Sequence, residues 1–156
     1  MKDEEFERLY TEEAQGLFAF LAYRTGDRPL AEDLLADAFE RALKGRFNPR
    51  KGSAKTWLYS IALNLLRDHL RRAAAEGRAY ERVEAPATGD AFADFEARDE
   101  ILRAMATLSA EEREAIALRF GAALTVPEMA AILGQPLTTV EGRVYRALRK
   151  LREALG

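Results

Sequence analysis

The chain has 156 residues, 48% of them hydrophobic, which leaves room for one ordinary domain or two small ones and is too apolar for a wholly disordered protein. It has no cysteine, no run near the roughly 18 apolar residues that cross a bilayer, and an acidic, amphipathic start (MKDEEFERLY); these features exclude disulfides, thiolate metal sites, a membrane span and a signal peptide, and a cytoplasmic protein is expected. The net charge of −2 conceals four blocks: residues 1–44 carry 6 basic and 11 acidic side chains, 45–82 carry 9 and 3, 83–114 carry 3 and 9, and 115–156 carry 6 and 3. Two basic surfaces suggest two contacts with a polyanion, and the acidic blocks suggest a separate protein partner.

In chain order, nearly everything reads as helix. Phe6, Leu9, Tyr10, Leu17, Phe18 and Leu21 fall at spacings that give a first helix one apolar face. Thr25-Gly26-Asp27 interrupts it, with Gly26 as the stop and Asp27 as the cap of a second helix expected to bury Leu30, Leu34, Leu35, Ala38, Phe39 and Leu43. A loop follows from Gly45 to Gly52, and Ser53 caps a long third helix running to about Arg72. Periodicity fades beyond Ala73 into a segment with two glycines, a proline and small residues, which reads as a linker. It resumes at Phe95, Ile101, Leu102 and Met105. Ser109-Ala110-Glu111-Glu112 is a capping box for a helix carrying Ile116, Leu118 and Phe120, and Thr125-Val126-Pro127-Glu128 is a second one. Gly134-Gln135-Pro136 ends that short helix and a last helix begins near Leu137. The expected fold is therefore all-α: helical domains at 1–75 and 93–156, with a flexible linker at 76–92.

Two constellations carry chemistry. On the third helix, Leu58, Ile61, Ala62, Leu65, Leu66 and His69 form the apolar side, while Trp57, Ser60, Asn64, Arg67, Asp68 and Arg71 line the other, with Arg72 adjacent. Trp57, Asn64 and Arg71, seven residues apart, place an aromatic ring, an amide and a guanidinium on one stripe, which suits unpaired nucleic acid. The preceding loop, Phe47-Asn48-Pro49-Arg50-Lys51-Gly52-Ser53, is basic and rich in backbone donors, and could hold a base rotated out of the stack. Trp57 taken alone reads equally well as a core residue. In the second domain, two short helices joined by a glycine-containing turn, the second one basic, form a helix-turn-helix pattern. Val140, Val144, Ala147, Leu148 and Leu151 gather on one side of the last helix, and Thr138, Gly142, Tyr145, Arg146 and Arg149 on the other. Arginines there can donate to guanine edges or phosphates, and Tyr145 offers an aromatic edge to a thymine methyl or a sugar. Gly142 costs about 1 kcal/mol relative to alanine inside a helix, a cost explained if the helix approaches DNA closely there.

The stretch RTGDRPLAEDLLADAFERAL followed by FNPRKGSAKTWLYSIALNLLRDHLRR resembles region 2 of the sigma-70 family, in its extracytoplasmic-function (group 4) branch. LSAEEREAIALRFGAALTVPEMAAILGQPLTTVEGRVYRALRKLR resembles region 4 of the same family. The resemblance implies a three-helix region 2, a helix-turn-helix region 4, and roles by position. Asp33, Asp37, Glu40 and Arg41 would dock on the clamp helices of RNA polymerase, although by themselves they read as solvated helix charges. Phe47, Asn48, Arg50, Lys51, Ser53, Trp57, Asn64, Arg67, Arg71 and Arg72 would bind the melted −10 element as a single strand. Thr138, Thr139, Gly142, Arg143, Tyr145, Arg146 and Arg149 would read the −35 element as duplex. The implied partners are core RNA polymerase, promoter DNA and an anti-sigma factor, without cofactor, metal or membrane insertion. The sequence departs from the family where Thr138 replaces a usual glycine and Glu141-Gly142 replaces a usual cation followed by serine.

An enzyme is disfavoured. The single histidine, His69, borders an apolar helix face, and no Glu-x-x-His pair, Gly-rich phosphate loop or nucleophile elbow occurs. A second rival is a sigma-like decoy that captures an anti-sigma factor without supporting transcription, to which Glu141 gives weight. A third, an ordinary helix-turn-helix regulator, leaves the first 75 residues unexplained.

Overall fold

A computed structural model describes residues 1–77 and 95–156, with side chains from residue 100 onward in the second stretch. Among the described residues the chain is helical and has no strand. The first domain comprises α1 (Asp3–Thr25), α2 (Arg28–Lys44) and α3 (Ala54–Ala75); the second comprises α4 (Phe95–Ala106), α5 (Ala110–Ile116), α6 (Val126–Leu133) and α7 (Leu137–Leu155). The expected linker lies outside the described residues from 78 on.

Local chemistry sets the helix ends. Gly26 closes α1 at φ 63°, a left-handed conformation that glycine adopts without steric cost. The Asp27 carboxylate then accepts from the Leu30 amide at 3.2 Å and starts α2. The Ser53 hydroxyl accepts from the Thr56 amide at 3.1 Å and starts α3. Both capping boxes are reciprocal: Ser109 with Glu112 opens α5, and Thr125 with Glu128 opens α6.

The periodic residues form most of the core, with exceptions such as Tyr10, which is 51% exposed. On α2 the inward stripe is Ala31, Leu34, Ala38, Phe39 and Ala42, and Leu43 is 42% exposed. The buried alanines take a role that a leucine-weighted reading underrates. On α3, Tyr59 and Leu63 are buried together with Leu58, Ala62, Leu65 and Leu66, so the helix is covered on more than one side. The reason is tertiary: α3 packs against α2 and also against α6 of the other domain. In the second domain, α5 continues into a π-helical turn, Ala117–Gly121, where Leu118 is buried but Phe120 is 54% exposed with the Arg119 guanidinium 5.2 Å above its ring. Residues of both domains, from Leu17 and Tyr59 to Leu118 and Met129, belong to one buried cluster.

Candidate nucleic-acid interface

The loop before α3 is shaped by its own side chains. Asn48 accepts from the Arg50 amide at 3.0 Å and caps a single 3-10 turn, Pro49–Lys51, which leaves Arg50 and Lys51 exposed. Phe47 stands 5.4 Å from the Trp57 ring at 40°. Behind the indole lies Gly45, where a Cβ would come within 2.9 Å of the ring and 2.8 Å of the Arg41 carbonyl. Trp57 is thus half-buried, seated against the end of α2 and flanked by Phe47. The sequence reading gave Gly45 only as the start of the loop; the fold brings it against the Trp57 ring.

Below this aromatic pair, Asn64, Arg67, Arg71 and Arg72 are exposed along α3. Arg71 donates to the Asp68 carboxylate at 2.8 Å, and the Arg72 Nε donates to the Asp68 carbonyl at 3.5 Å. Arg67 reaches across to Glu114 of α5 at 3.1 Å. These guanidiniums are held by oxygens that phosphates could replace.

The second basic face is α7. Val140, Val144 and Ala147 are buried, which turns Thr138, Thr139, Tyr145, Arg146 and Arg149 outward. Tyr145 is 67% exposed. Gly142 shares this face, and a Cβ there would meet only the Arg146 guanidinium. Arg143 stands apart: it donates to Gln135 at 2.8 Å and lies 3.9 Å from Glu111, with its side chain 13% exposed. It braces the helix-turn-helix turn against α5. Lys150 does the same further along, donating at 2.7 Å to the buried Glu112. Burial would raise the Glu112 pKa, but the bonds from Lys150 and from Ser109 outweigh it and hold the carboxyl below its ordinary value.

Asp33, Asp37, Glu40 and Arg41 are exposed on α2, whose end seats Trp57. Glu40 accepts from Lys44 at 2.7 Å, which lowers its pKa. Beside them the sequence reading missed an aromatic cluster: Phe6 and Tyr10 lie 5.9 Å and 4.9 Å from Phe39. Half-exposed Tyr10 and Leu43 next to mixed charges make a surface suited to a protein partner. Among the described residues, no cluster of three or more acidic or histidine side chains is placed to hold a metal, and no helix is long and apolar enough to cross a membrane.

A family model for sigma-70 region 2 matches residues 9–76, and one for sigma-70 region 4 matches residues 98–151. The chain is 36% identical over 138 residues to the extracytoplasmic-function (ECF) sigma factor SigC of Mycobacterium tuberculosis, covering 85% of this chain and 74% of that one. The chain belongs to the ECF sigma factors of the sigma-70 family. It is also 33% identical over 156 residues to CarQ of Myxococcus xanthus, covering 97% and 89%, and 30% identical over 158 residues to BldN of Streptomyces coelicolor, of whose length it spans 60%. Among solved structures it resembles the sigma factor RpoE in complex with the anti-sigma factor NepR from Bartonella quintana, at a TM-score of 0.76, 26% identity and 97% coverage of both chains. It also resembles CnrH in complex with the cytosolic domain of CnrY, at a TM-score of 0.67 and 26% identity, covering 99% of this chain and 89% of that one. These relatives are sigma factors, a class that acts by binding rather than by catalysis. In this family frame, α1–α3 are region 2 and α6–α7 are the helix-turn-helix of region 4.

Proposed function

We propose that this sigma factor binds core RNA polymerase through the exposed α2 surface and directs it to promoters with two separate DNA-binding faces. We assign residues 1–75 to core and −10 binding and 93–156 to −35 binding, with 76–92 between them. The observation that carries the reading is the outward face of α7: its buried valines leave Tyr145, Arg146 and Arg149 exposed on the second helix of a helix-turn-helix, with no ion pair to any described residue. On this reading α7 lies in the major groove, where Arg146 and Arg149 donate to base edges or phosphates. The Phe47–Ser53 loop and the Trp57 end of α3 receive bases leaving the duplex. Opening is then driven by the affinity of that site for unpaired strand, without nucleotide hydrolysis by this chain.

The likeness to sigma factors solved with NepR and CnrY supports an anti-sigma partner for this chain as well, because a score of 0.76 over 97% of both chains requires the two domains to superpose together. The test is transcription by purified protein, core polymerase and genomic DNA, with sequencing of the transcript 5′ ends. Discrete starts that share two upstream motifs and vanish without the protein are expected. Trp57→Ala should abolish opening while polymerase binding persists. One alternative has an observation in its favour: Glu141 is exposed at the DNA end of α7, which suits a decoy that captures an anti-sigma factor. Polymerase binding without any specific start would favour that reading.

A further inference from the structure

The first two turns of α7, residues 137–143, carry two charged side chains, Glu141 and Arg143. Arg143 is engaged: it donates to Gln135 at 2.8 Å, lies 3.9 Å from Glu111, and its side chain is 13% exposed. Glu141 is exposed and forms no hydrogen bond or ion pair with any described residue. Its own helix supplies no partner. The neighbours three and four residues away are Leu137, Thr138, Val144 and Tyr145, none of them a cation. The cations of the outward face, Arg146 and Arg149, come later in the helix. In a helix-turn-helix, the leading residues of the second helix are the ones that meet base edges. Among the described residues, the free charge placed there is therefore an anion.

A carboxylate only accepts, so a duplex offers it few partners. Phosphates repel it, and guanine and thymine present acceptors at their major-groove edges. The donors there are the N4 amino group of cytosine and the N6 amino group of adenine. Adenine sets its N7 acceptor beside that amino group, which suits an amide better than a second carboxylate oxygen. Cytosine has no acceptor on that edge, and is thus the base that Glu141 fits. Two features of α7 let the carboxylate come close. Gly142 follows it with no side chain, and the Arg146 guanidinium lies over Gly142, 3.1 Å from where a Cβ would stand. A cation over the adjacent residue offsets the repulsion between Glu141 and the phosphates that flank the groove.

We propose that Glu141 is a specificity-determining residue of the −35 contact, its carboxylate accepting from the N4 amino group of one cytosine in the major groove. The proposal rests on the reading of α7 as the helix that enters duplex, and adds to it the identity of one base. Arg146 and Arg149 supply affinity, while Glu141 rejects guanine and thymine at its position. The same carboxylate that suits a decoy then has a task in a transcribing sigma factor.

The test uses the full-length chain with core polymerase and a pool of promoter templates whose upstream motif is randomised, with transcribed templates counted by sequencing. The unaltered chain should favour cytosine, on one strand, about tenfold over guanine and thymine at one position. Glu141→Gln keeps the side chain's length, but its amide donates as well as accepts, and should move that position to adenine. Glu141→Ala should level the four bases there. Preferences at the other positions should persist in both variants, and Tm should stay within about 2 °C of the unaltered chain because Glu141 is exposed. Specific starts with the same base preferences in all three proteins overturn the assignment and leave the promoter reading intact. A shift spread evenly over every position does the same, since it marks a general electrostatic effect. A position that responds to Glu141 but favours another base overturns the choice of cytosine. No specific start from the unaltered chain overturns the promoter reading and this assignment with it.

Discussion

Gly142→Ala should move stability and DNA affinity in opposite directions. Gly142 is the sixth residue of α7, well inside the helix, where glycine is about 1 kcal/mol less favourable than alanine. A Cβ built there meets the Arg146 Nη1 at 3.1 Å and its Cζ at 3.9 Å, and no other atom within 4 Å. That guanidinium is the far end of an exposed side chain and can swing aside, so the fold offers no steric objection. The substitution should therefore stabilise the protein by about 1 kcal/mol, raising Tm by about 2–4 °C for a chain of this size. On the DNA side, the methyl would stand one turn from Thr138 and one turn from Arg146, on the face proposed to enter the groove. It would displace the arginine that reads a base edge, at a cost of about 1 kcal/mol or more, roughly a fivefold loss of affinity. Thermal unfolding followed by circular dichroism measures the first effect, and anisotropy on a −35 duplex at fixed salt measures the second. A lowered Tm would mean that the glycine serves the fold. A raised Tm with unchanged affinity would mean that duplex does not approach this face, and the assignment of α7 as the reading helix would fail.

Three further outcomes follow from individual contacts. Glu112→Ala removes the Lys150 bond and half of a capping box from a buried site, and should cost about 2–4 kcal/mol at pH 7 in urea unfolding. Because the folded pKa of Glu112 is depressed, its contribution is complete above the unfolded value near 4.3 and fades as pH falls through the folded value; a gap between variant and parent that does not narrow in acid would contradict a stabilisation that depends on the carboxylate's charge. Glu141→Arg replaces an exposed anion with a cation near the proposed phosphate path, so duplex binding should tighten and the salt slope steepen by about one unit; an unchanged slope would place residue 141 away from the backbone. Gly45→Ala forces a Cβ into the Trp57 ring at 2.9 Å, and should cost about 1–3 kcal/mol and impair promoter opening more than polymerase binding; normal opening would show that the seat of Trp57 is not needed.

What the sequence made legible was local. Asp27, Ser53, Ser109 and Thr125 each cap the helix they precede, because a short polar side chain beside free amides is a contact made within three or four residues. The α7 faces were equally readable, since valines and arginines segregate at helical spacing over a long helix. What escaped were contacts between distant segments. Periodicity finds one buried face per helix, so Tyr59 and Leu63 on α3 stayed invisible until a second domain covered them. Phe120 reads as core from its spacing, yet it lies in the last turn of α5's π extension, where it is 54% exposed and carries Arg119 over its ring. Arg143 reads as one more basic residue of the DNA face, and only the fold brings Gln135 and Glu111 to its guanidinium.

The alternating charge blocks take on a second meaning in the folded chain. From sequence, the basic block at 45–82 points to nucleic acid and the acidic block at 83–114 to a protein partner. In the structure one residue of each meets the other, Arg67 with Glu114, and Lys55 of the same basic block meets Glu128. Carboxylates of the second domain thus pair with cations of the first, one of them Arg67, which is proposed to contact DNA. Such pairing need not be strong to matter. An ion pair with one exposed partner contributes little alone, but in this chain it is joined to an apolar contact that a single strand of DNA does not offer. A partner that separates the domains by binding each of them would remove the apolar contact and part Arg67 from Glu114.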